Sequence, residues 1–181
     1  MKVHGTPIQD LLLLEPKIWA DHRGWFMESF SEKSMETYGQ RVHFVQQNHS
    51  YSAQTGTLRG LHYQSQPRAQ TKLVRCTRGE IWDVAVDLRQ HSDTYLQWHA
   101  VHLSEDNKYL FWIPKGFAHG FLTLQDHTEV QYLVDEPYDP SVDCCIRYDD
   151  SQLNIVWPVA QPILSDKDRR APYLADITLD F

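Results

Sequence analysis

Two histidines stand among apolar residues in segments that alternate like β-strands, and their side chains are suited to proton transfer. His62 lies in the run Leu58–Tyr63, and His119 lies in the run Phe117–Leu124. An imidazole has an unperturbed pKa of about 6.5, so it can take up or release a proton near neutral pH. Each histidine taken alone is better explained as a residue satisfied by structural hydrogen bonds. Acid–base chemistry is therefore a hypothesis that other residues must support.

Further polar side chains share these segments and suit a polar, anionic small molecule. Arg59 precedes His62, Lys72 begins the next strand-like run, and Gln46–Ser50 carries amide and hydroxyl groups. Guanidinium and ammonium groups bind phosphate oxygens through charge-assisted hydrogen bonds. Such side chains on short strands are typical of a barrel whose mouth holds a ligand. For any one of them, a solvent-facing position is the alternative.

The elements that must position these residues are predicted to be short β-strands. Runs rich in β-branched and aromatic residues recur between Gly, Pro, Asn and Asp. Alternation over Trp82–Leu88 puts Asp83 and Asp87 on the face opposite to the apolar side chains. Thr77–Glu80 reads as a turn between two strands. The predicted strands are Val42–Val45, Leu58–Tyr63, Lys72–Cys76, Ile81–Leu88, Leu96–Leu103, Leu110–Ile113, Phe117–Leu124 and Glu129–Val134.

Helical signals are few. Ser31 is a candidate N-cap for a short helix ending at Gly39, and Ser165 followed by Asp168 could open another near the C-terminus. Many short strands at regular spacing favour a β-sandwich or barrel, with the jelly roll as the leading option. The predicted fold class is therefore mainly β, with a few short helices.

Composition and charge limit the class of protein. The 181 residues suit one domain spanning 1–181. A formal net charge of -7 argues against non-specific nucleic-acid binding. The apolar run Leu11–Leu14 is too short to cross a bilayer, so no membrane association is expected. Three cysteines without a CxxC pair predict neither a disulfide framework nor a structural zinc site, and we expect a cytoplasmic protein.

Seven stretches spread over nearly the whole chain carry a more specific signal. They are Asp21–Phe30, Phe44–Ser50, Thr57–Gln64, Lys72–Arg75, Gly79–Arg89, Ile113–Phe121 and Leu164–Asp168. In this order they resemble the dTDP-4-dehydrorhamnose 3,5-epimerase family, whose fold is a jelly roll of the cupin type. One such match would be a weak signal, whereas seven in register are strong.

The resemblance implies an isomerase of dTDP-rhamnose biosynthesis that converts dTDP-4-dehydro-6-deoxy-D-glucose to dTDP-4-dehydro-L-rhamnose. The C4 ketone acidifies the C–H bonds at C3 and C5, so loss of either proton gives an enolate. Return of a proton to the other face inverts the carbon. This chemistry needs a base, an acid on the opposite face and a positive charge at the enolate oxygen. No cofactor or metal is implied, because the ketone itself is the electron sink.

The resemblance assigns four residues to this chemistry. His62 matches the base, and Asp168 matches the carboxylate that pairs with it. Tyr132 matches the proton donor, since a phenol with a pKa near 10 is a credible acid towards an enolate. Lys72 matches the residue that stabilises the enolate oxygen. The structural alternatives are a first-turn helix carboxylate for Asp168, a core aromatic for Tyr132 and a solvated strand-end lysine for Lys72.

Other matching positions are implied to bind the substrate. Arg23 and Arg59 would contact the diphosphate, and Tyr138 would stack on thymine. In the family, Arg23 and Glu28 reach the site of a neighbouring subunit, which implies a homodimer. The remaining implied contacts are Gln46, Gln47 (through its main chain), Asn48, His119, Asp143 and Lys167.

Two positions depart from the family's pattern. Pro137 precedes Tyr138 where the family has two tyrosines, and Asp143 stands where the family has glutamate. Both lie near the nucleotide and the protonating side. A related epimerase that inverts only C3 or only C5 is therefore one alternative.

Two further alternatives come from other classes of protein. A metal-dependent cupin places a second histidine two residues after the first, whereas Gln64 follows His62 at that spacing. A non-catalytic nucleotide-sugar-binding protein would have no need of His62, Tyr132 and Asp168 together. The sequence therefore favours the metal-free epimerase.

Overall fold

The computed structural model describes all 181 residues and is built mainly from short antiparallel strands. Two short α-helices are present, α1 (Glu32–Thr37) and α2 (Asp166–Arg169), and a 3-10 helix spans Leu174–Asp176. The strands are β1 (Lys2–Gly5), β2 (Leu12–Glu15), β3 (Ile18–Asp21), β4 (Gly24–Met27), β5 (Gln46–Ser52), β6 (Leu58–Gln64), β7 (Lys72–Arg78), β8 (Glu80–Asp87), β9 (Trp98–Ser104), β10 (Leu110–Ile113), β11 (Phe117–Thr123), β12 (Thr128–Val134) and β13 (Asp143–Cys145).

Two sheets pack face to face, and the chain passes repeatedly from one to the other. The six-stranded sheet has the order β1-β2-β10-β7-β12-β5, and the five-stranded sheet has the order β13-β6-β11-β8-β9. From β5 to β8 each successive strand joins the opposite sheet, as in a jelly roll. β3 and β4 form a separate two-stranded sheet. The predicted mainly-β sandwich with few helices is confirmed.

Three apolar clusters explain why both faces of each sheet are largely buried. One cluster, which includes Val74, Ala85 and Phe121, lies between the two sheets. A second covers the outer face of the five-stranded sheet with residues of the C-terminal segment, among them Trp157. A third places Met35 of α1 against the outer face of the six-stranded sheet. Apolar side chains therefore cover the outer face of each sheet and fill much of the space between the two sheets.

Seven of the eight predicted strands are confirmed, with ends that differ by at most two residues. The predicted strand Val42–Val45 is wrong, because residues 40–45 have no regular structure and β5 begins at Gln46. Val42 and Phe44 pack against the outer cluster of the six-stranded sheet, so they cover that sheet without extending it. Strands β1–β5 and β13 were not predicted.

The local signals for turns and helix ends are confirmed. Ser31 caps α1 by accepting a hydrogen bond from the Ser34 amide, and Ser165 caps α2 by accepting one from the Asp168 amide. Gly79, with a φ of +75°, forms the turn between β7 and β8. These strands belong to different sheets, so the turn is a corner of the sandwich. No helix in the structure is long and apolar enough to cross a membrane.

The close approach of Gly60 on β6 to Gly120 on β11 sets His62 beside His119. A Cβ built on Gly60 would lie 2.5 Å from the Gly120 Cα, and the φ of Gly60 is +132°. Because other residues are strained at this φ and the clash is with backbone, Gly60→Ala should lower the free energy of unfolding by about 3 kcal/mol. Chemical denaturation would measure the change.

The control is Gly5→Ala on β1, where an added Cβ meets nothing within 4 Å. It should change the free energy of unfolding by less than about 1 kcal/mol. Equal effects of the two substitutions would contradict the role given to the close approach.

Candidate active site

A cavity of about 490 Å³ opens between the two sheets, at the end where β13 and the 163–168 segment close over β6. Its lining contains most of the residues that the sequence singled out. The predicted site residues that line it are Arg59, His62, Lys72, His119, Tyr132, Tyr138, Asp143, Lys167 and Asp168. Residues far apart in the chain are thus brought to one place.

His62 and Asp168 form a hydrogen-bonded pair on one wall of the cavity. The His62 Nε2 lies 2.5 Å from the Asp168 Oδ1, although 106 positions separate the two residues in the chain. Asp168 is buried in the first turn of α2, where the Ser165 hydroxyl donates to its Oδ2 over 2.8 Å. The pair is therefore held by the helix cap on one side and by strand β6 on the other.

The electrostatics of Asp168 determine which nitrogen of His62 is free. Burial opposes ionisation of this carboxyl, but the hydrogen bonds from His62 and Ser165 outweigh it and lower its pKa. An ionised carboxylate only accepts hydrogen bonds, so the His62 Nε2 must carry the proton. The Nδ1 of His62 then keeps its lone pair and is the basic atom of the pair.

A second buried pair, His119 and Asp83, lies beside the first. His119 is directly opposite His62 in the pairing of β11 with β6. Its Nε2 lies 2.9 Å and 3.0 Å from the two carboxylate oxygens of Asp83 on β8. Burial lowers the pKa of His119 and raises the pKa of Asp83, and each partner opposes the shift of the other. The two imidazoles are therefore adjacent, and each has its own carboxylate.

Lys72 brings a buried positive charge to the cavity from the other sheet. It is the first residue of β7, is 7% exposed, and its Nζ donates to the His62 carbonyl over 3.3 Å. Burial lowers the pKa of this lysine to about 8, while Asp83 and Asp143 act in the opposite direction. Its ammonium group is therefore still charged near neutral pH and is poorly solvated, which strengthens its interaction with developing negative charge.

Tyr132 also faces the cavity from the six-stranded sheet. It lies on β12 opposite Val74 of β7, and its ring packs against the apolar cluster between the sheets. Burial raises the pKa of the phenol. His62 belongs to the five-stranded sheet, so the histidine and the tyrosine stand on opposite walls of one cavity. A flat substrate held between them would meet a base on one face and an acid on the other.

A cluster of polar side chains surrounds the mouth of the cavity. The Tyr138 hydroxyl donates to the Asp143 Oδ2 over 2.9 Å, and the same carboxylate oxygen pairs with the Lys167 ammonium. Burial opposes ionisation of Lys167, but the contact with Asp143 raises its pKa. The Tyr138 amide is held by the Gln46 Oε1 at 3.0 Å. Asp143 therefore connects the aromatic and the cation of the mouth.

Arg59 extends along the β5 side of the mouth. Its side chain is exposed, and it donates to the Ser52 hydroxyl over 3.3 Å and to the Tyr51 carbonyl over 3.0 Å. These bonds leave the rest of its guanidinium group free for an anion. Such a placement suits a phosphate group at the entrance.

The three predicted contacts on β5 are divided between its two faces. Gln46 and Asn48 are half-buried on the inner side, where the Gln46 Nε2 donates to the Asn48 Oδ1 over 2.8 Å. Gln47 points outward and donates to Gln131 over 3.3 Å. None of the three side chains lines the cavity itself.

Arg23 and Glu28 are not brought to the cavity of their own chain. Arg23 lies at the tip of the β3–β4 hairpin and pairs with Asp21 at 2.6 Å. Glu28 follows β4 and accepts a hydrogen bond from the Ser34 hydroxyl over 2.7 Å. Both side chains are exposed. Their positions leave them available to another molecule.

Sequence reasoning missed three residues at the site. Asp83 was assigned to the polar face of β8, but that face turns out to be the interior. Ser165 was predicted as a helix cap, and its bond to the Asp168 carboxylate was not foreseen. Ser50 lines the cavity from β5. Alternation and capping patterns point to these residues, but neither pattern reveals a role at a distant site.

Each imidazole is bonded to its own carboxylate, and no group of three or more His, Cys, Asp or Glu side chains has an arrangement that could hold a metal ion.

Known proteins resemble this chain over nearly its whole length. A sequence model of the family described as dTDP-4-dehydrorhamnose 3,5-epimerase matches residues 5–176. The dTDP-4-dehydrorhamnose 3,5-epimerase of Shigella flexneri is 52% identical over 169 residues, which cover 93% of each chain.

Solved structures agree with this match. The crystal structure of dTDP-6-deoxy-D-glucose-3,5-epimerase from Legionella pneumophila, in complex with dTDP-4-keto-L-rhamnose, is 48% identical with a TM-score of 0.94 and covers 98% of this chain and 94% of its own. A 3'-monoepimerase from Streptomyces bikiniensis, in complex with dTDP-quinovose, is 34% identical with a TM-score of 0.88 and covers 95% and 87%. With identity, coverage and site geometry in agreement, the chain belongs to the dTDP-4-dehydrorhamnose 3,5-epimerase family.

Proposed function

We propose that this protein epimerises dTDP-4-dehydro-6-deoxy-D-glucose at C3 and C5, giving dTDP-4-dehydro-L-rhamnose for dTDP-rhamnose biosynthesis. The observation that carries the proposal is the placement of the His62–Asp168 pair and Tyr132 on opposite sheets facing one cavity. Inversion of a carbon beside a ketone requires this two-sided arrangement. Membership of the epimerase family supports the same reaction.

The first half of each inversion is removal of a proton by His62. The free Nδ1 takes the proton from C3 or C5, and the ionised Asp168 stabilises the imidazolium that results. The electron pair of the C–H bond moves onto the C4 oxygen, where the buried Lys72 ammonium stabilises the negative charge. The histidine side chain is 32% exposed, so it can return its proton to solvent before the second carbon reacts.

The second half is protonation by Tyr132 from the opposite wall. Its phenol gives a proton to the carbon, and the electron pair on the C4 oxygen returns to re-form the ketone. The resulting phenolate must regain a proton before the next inversion. The raised pKa of this phenol favours recovery of the proton and makes the tyrosine neutral at the start of each step.

Tyr132→Phe tests the division of roles. We expect epimerisation to fall about 100-fold or more, because the donor on the opposite face is lost. Exchange of the first proton with solvent deuterium should fall much less, since His62 and Lys72 remain. Proton NMR in D2O measures exchange, and a coupled 4-reductase measures product. Equal loss of both activities would count against Tyr132 as the proton donor.

The nucleotide and diphosphate are proposed to lie at the mouth of the cavity. Arg59 would bind the diphosphate, and Tyr138, which is 56% exposed, would stack on thymine. Lys167, Asp143 and His119 would contact the sugar from the cavity walls, with Gln46, Asn48 and the main chain of Gln47 along β5. The polar cluster at the mouth supports this placement of the nucleotide, since its aromatic and cationic groups lie nearer to solvent than the catalytic residues do.

A homodimer is part of the proposal. The β3–β4 hairpin exposes Trp19, Trp25 and Phe26 at 48%, 56% and 69%, which is typical of a surface covered by another chain. Arg23 and Glu28 flank these aromatics and would complete the diphosphate and sugar contacts in the partner's cavity. A second copy of the chain therefore explains the hairpin and the position of both polar residues.

Mixing two inactive variants tests the shared site. Arg23→Ala and His62→Asn should each be nearly inactive as homodimers. After they are unfolded and refolded together, roughly a quarter of wild-type activity should return, because half of the dimers are mixed and each mixed dimer has one intact site. No recovery, with dimers present by ultracentrifugation, would contradict the shared site.

The second candidate function is an epimerase that inverts only C3 or only C5, because a monoepimerase shares the fold. Asp143, which stands where the family has the longer glutamate, is engaged by both Tyr138 and Lys167 at the mouth. Higher identity to the 3,5-epimerases favours inversion at both carbons.

The deciding experiment is proton NMR of dTDP-4-keto-6-deoxy-glucose in D2O with chelator-treated protein, followed by trapping with a 4-reductase. Deuterium at C3 and C5 and formation of dTDP-rhamnose are expected. Deuterium at one carbon only would identify a single-centre epimerase. No exchange at either carbon would overturn the proposal and favour a binding protein or a metal-dependent enzyme.

The proposal places the reaction in the cytoplasm. Cys76, Cys144 and Cys145 are all free thiols, which is usual for a protein of a reducing compartment.

A further inference from the structure

The Ser50 hydroxyl is a buried polar group at the wall of the cavity, and it has no hydrogen-bond partner in the protein. Its Oγ is fully buried and makes no hydrogen bond, yet the residue lines the cavity beside His62 and Tyr132. Buried hydroxyls in native proteins are nearly always hydrogen-bonded, because an unmade bond leaves the cost of desolvation uncompensated. Because this Oγ has no accessible surface in the free protein, it would bond to what the cavity holds after rotation of the Ser50 side chain about its Cα–Cβ bond into another staggered rotamer.

Strand register fixes where this hydroxyl acts. Side chains at every second position of β5 point inward, and Ser50 stands between Asn48 and Ser52 on that face. Asn48 is directly opposite Tyr132 on β12, and the Ser52 hydroxyl accepts a bond from Arg59. Ser50 is thus midway along the wall between the phenol and the guanidinium.

The neighbours of Ser50 show that its free hydroxyl is not a general property of the strand. The Ser52 Oγ is bonded to Arg59, whereas Ser50 is opposite Val130, whose side chain offers no polar atom. The other buried side-chain atom without a partner is Trp112 Nε1, which lies in the cluster under α1 and does not line the cavity. That tryptophan provides a matched comparison.

We propose that Ser50 binds the substrate by a hydrogen bond from its hydroxyl to an oxygen of the sugar, between the carbons that react at Tyr132 and the diphosphate held by Arg59. The inference rests on the proposed function and adds a residue to it. The bond fixes the tilt of the ring against the wall that carries the proton donor. Ser50 therefore acts on the position of the sugar and leaves the nucleotide contacts unaffected.

Ser50→Ala tests this with two ligands that do not react, dTDP and dTDP-L-rhamnose, in titration calorimetry. The affinity for dTDP-L-rhamnose should fall about three- to tenfold, as expected for one hydrogen bond. The affinity for dTDP should stay within about twofold, since that ligand has no hexose. The melting temperature of the free protein should stay the same or rise, because the variant removes an unsatisfied buried group.

The control is Trp112→Phe, which removes the other unpartnered group and should leave both affinities unchanged. Unchanged affinity of Ser50→Ala for dTDP-L-rhamnose would overturn the inference, and so would an equal loss for both ligands, which would assign the hydroxyl to the diphosphate. A lowered melting temperature with loss of both affinities would indicate a structural role instead. Failure of the proposed function is recognised separately, because the wild-type protein would then show no deuterium exchange.

Discussion

His62→Asn is expected to lower the rate of deuterium exchange at C3 and at C5 by about 10³- to 10⁴-fold, the upper range for loss of a general base. The reason is that one nitrogen, Nδ1, serves both carbons, and no other base has the same position. Asparagine can still bond to Asp168, so the buried carboxylate keeps a partner and the fold is preserved. Proton NMR in D2O follows both positions in one experiment.

The matched control is His102→Asn, which changes another histidine held by a carboxylate. His102 lies on the edge strand β9, outside the cavity, and its Nδ1 is 2.9 Å from the Oε1 of Glu80 on β8. This variant should exchange both protons at the wild-type rate. Retention of wild-type exchange in His62→Asn would remove His62 as the base. Loss at one carbon only would require a second base, and His119, directly opposite on β11, would be the first candidate.

Lys72→Met is expected to reduce kcat about 10²- to 10³-fold, as for loss of one donor to an oxyanion, and at the same time to stabilise the protein. The folded-state pKa of about 8 lies below the ordinary value of 10.5, so keeping Lys72 charged costs the folded state about 3 kcal/mol at pH 7. Methionine fills similar space without a charge. Its melting temperature at pH 7 should therefore be higher than that of the wild type by several degrees.

The pH dependence follows from the sign of the same shift. The cost of the buried ammonium is fully present below pH 8 and disappears as pH rises from about 8 towards 10.5, so the stability difference between wild type and Lys72→Met should shrink over that interval. Activity has the opposite trend, because the charged form stabilises the enolate. Wild-type kcat/KM should fall as pH rises through about 8, because this pKa belongs to the protein without substrate.

Two measurements check this pair of effects. Thermal denaturation of both proteins at pH 7 and pH 10 gives the stability difference. A profile of kcat/KM from pH 6 to pH 10 gives the basic limb, which is the fall in activity at high pH. Lys115→Met is the control, since Lys115 is exposed and pairs with Asp135 outside the cavity. It should leave the basic limb unchanged. A Lys72→Met variant less stable than wild type at pH 7 would contradict the buried charge.

Most of the sheet and the core of the site could be predicted from the sequence. Period-two alternation located seven strands, because residues at every second position share a face whatever the strand later pairs with. Capping residues located both helices, since a serine that bonds the third amide beyond it is a local interaction. The family resemblance predicted His62, Lys72, Tyr132 and Asp168 as one group, and the structure brings them to one cavity.

Tertiary structure alone decided which face of each strand is inside. The sequence separated Asp83 from the apolar face of β8, yet that apolar face packs under the C-terminal segment while Asp83 points between the sheets. Alternation distinguishes two faces but does not say which one water reaches, and here later parts of the chain cover the outer face. Val42 and Phe44 were misread for the same reason, since they cover a sheet made by other strands.

The contact of Asp168 with His62 shows most clearly what local sequence predicts and what only tertiary structure decides. A local pattern placed Asp168 in the first turn of a helix, and the family resemblance paired it with His62, but their 2.5 Å contact depends on how the C-terminal segment folds over β6. Contacts between residues 106 positions apart are set by strand pairing and core packing, which no local pattern encodes. The sequence by itself thus determined seven of the strands, the helix caps and the residue types of the site. Tertiary packing decided which face of each strand is inside and how far apart the site residues lie, because burial and strand pairing depend on the whole chain.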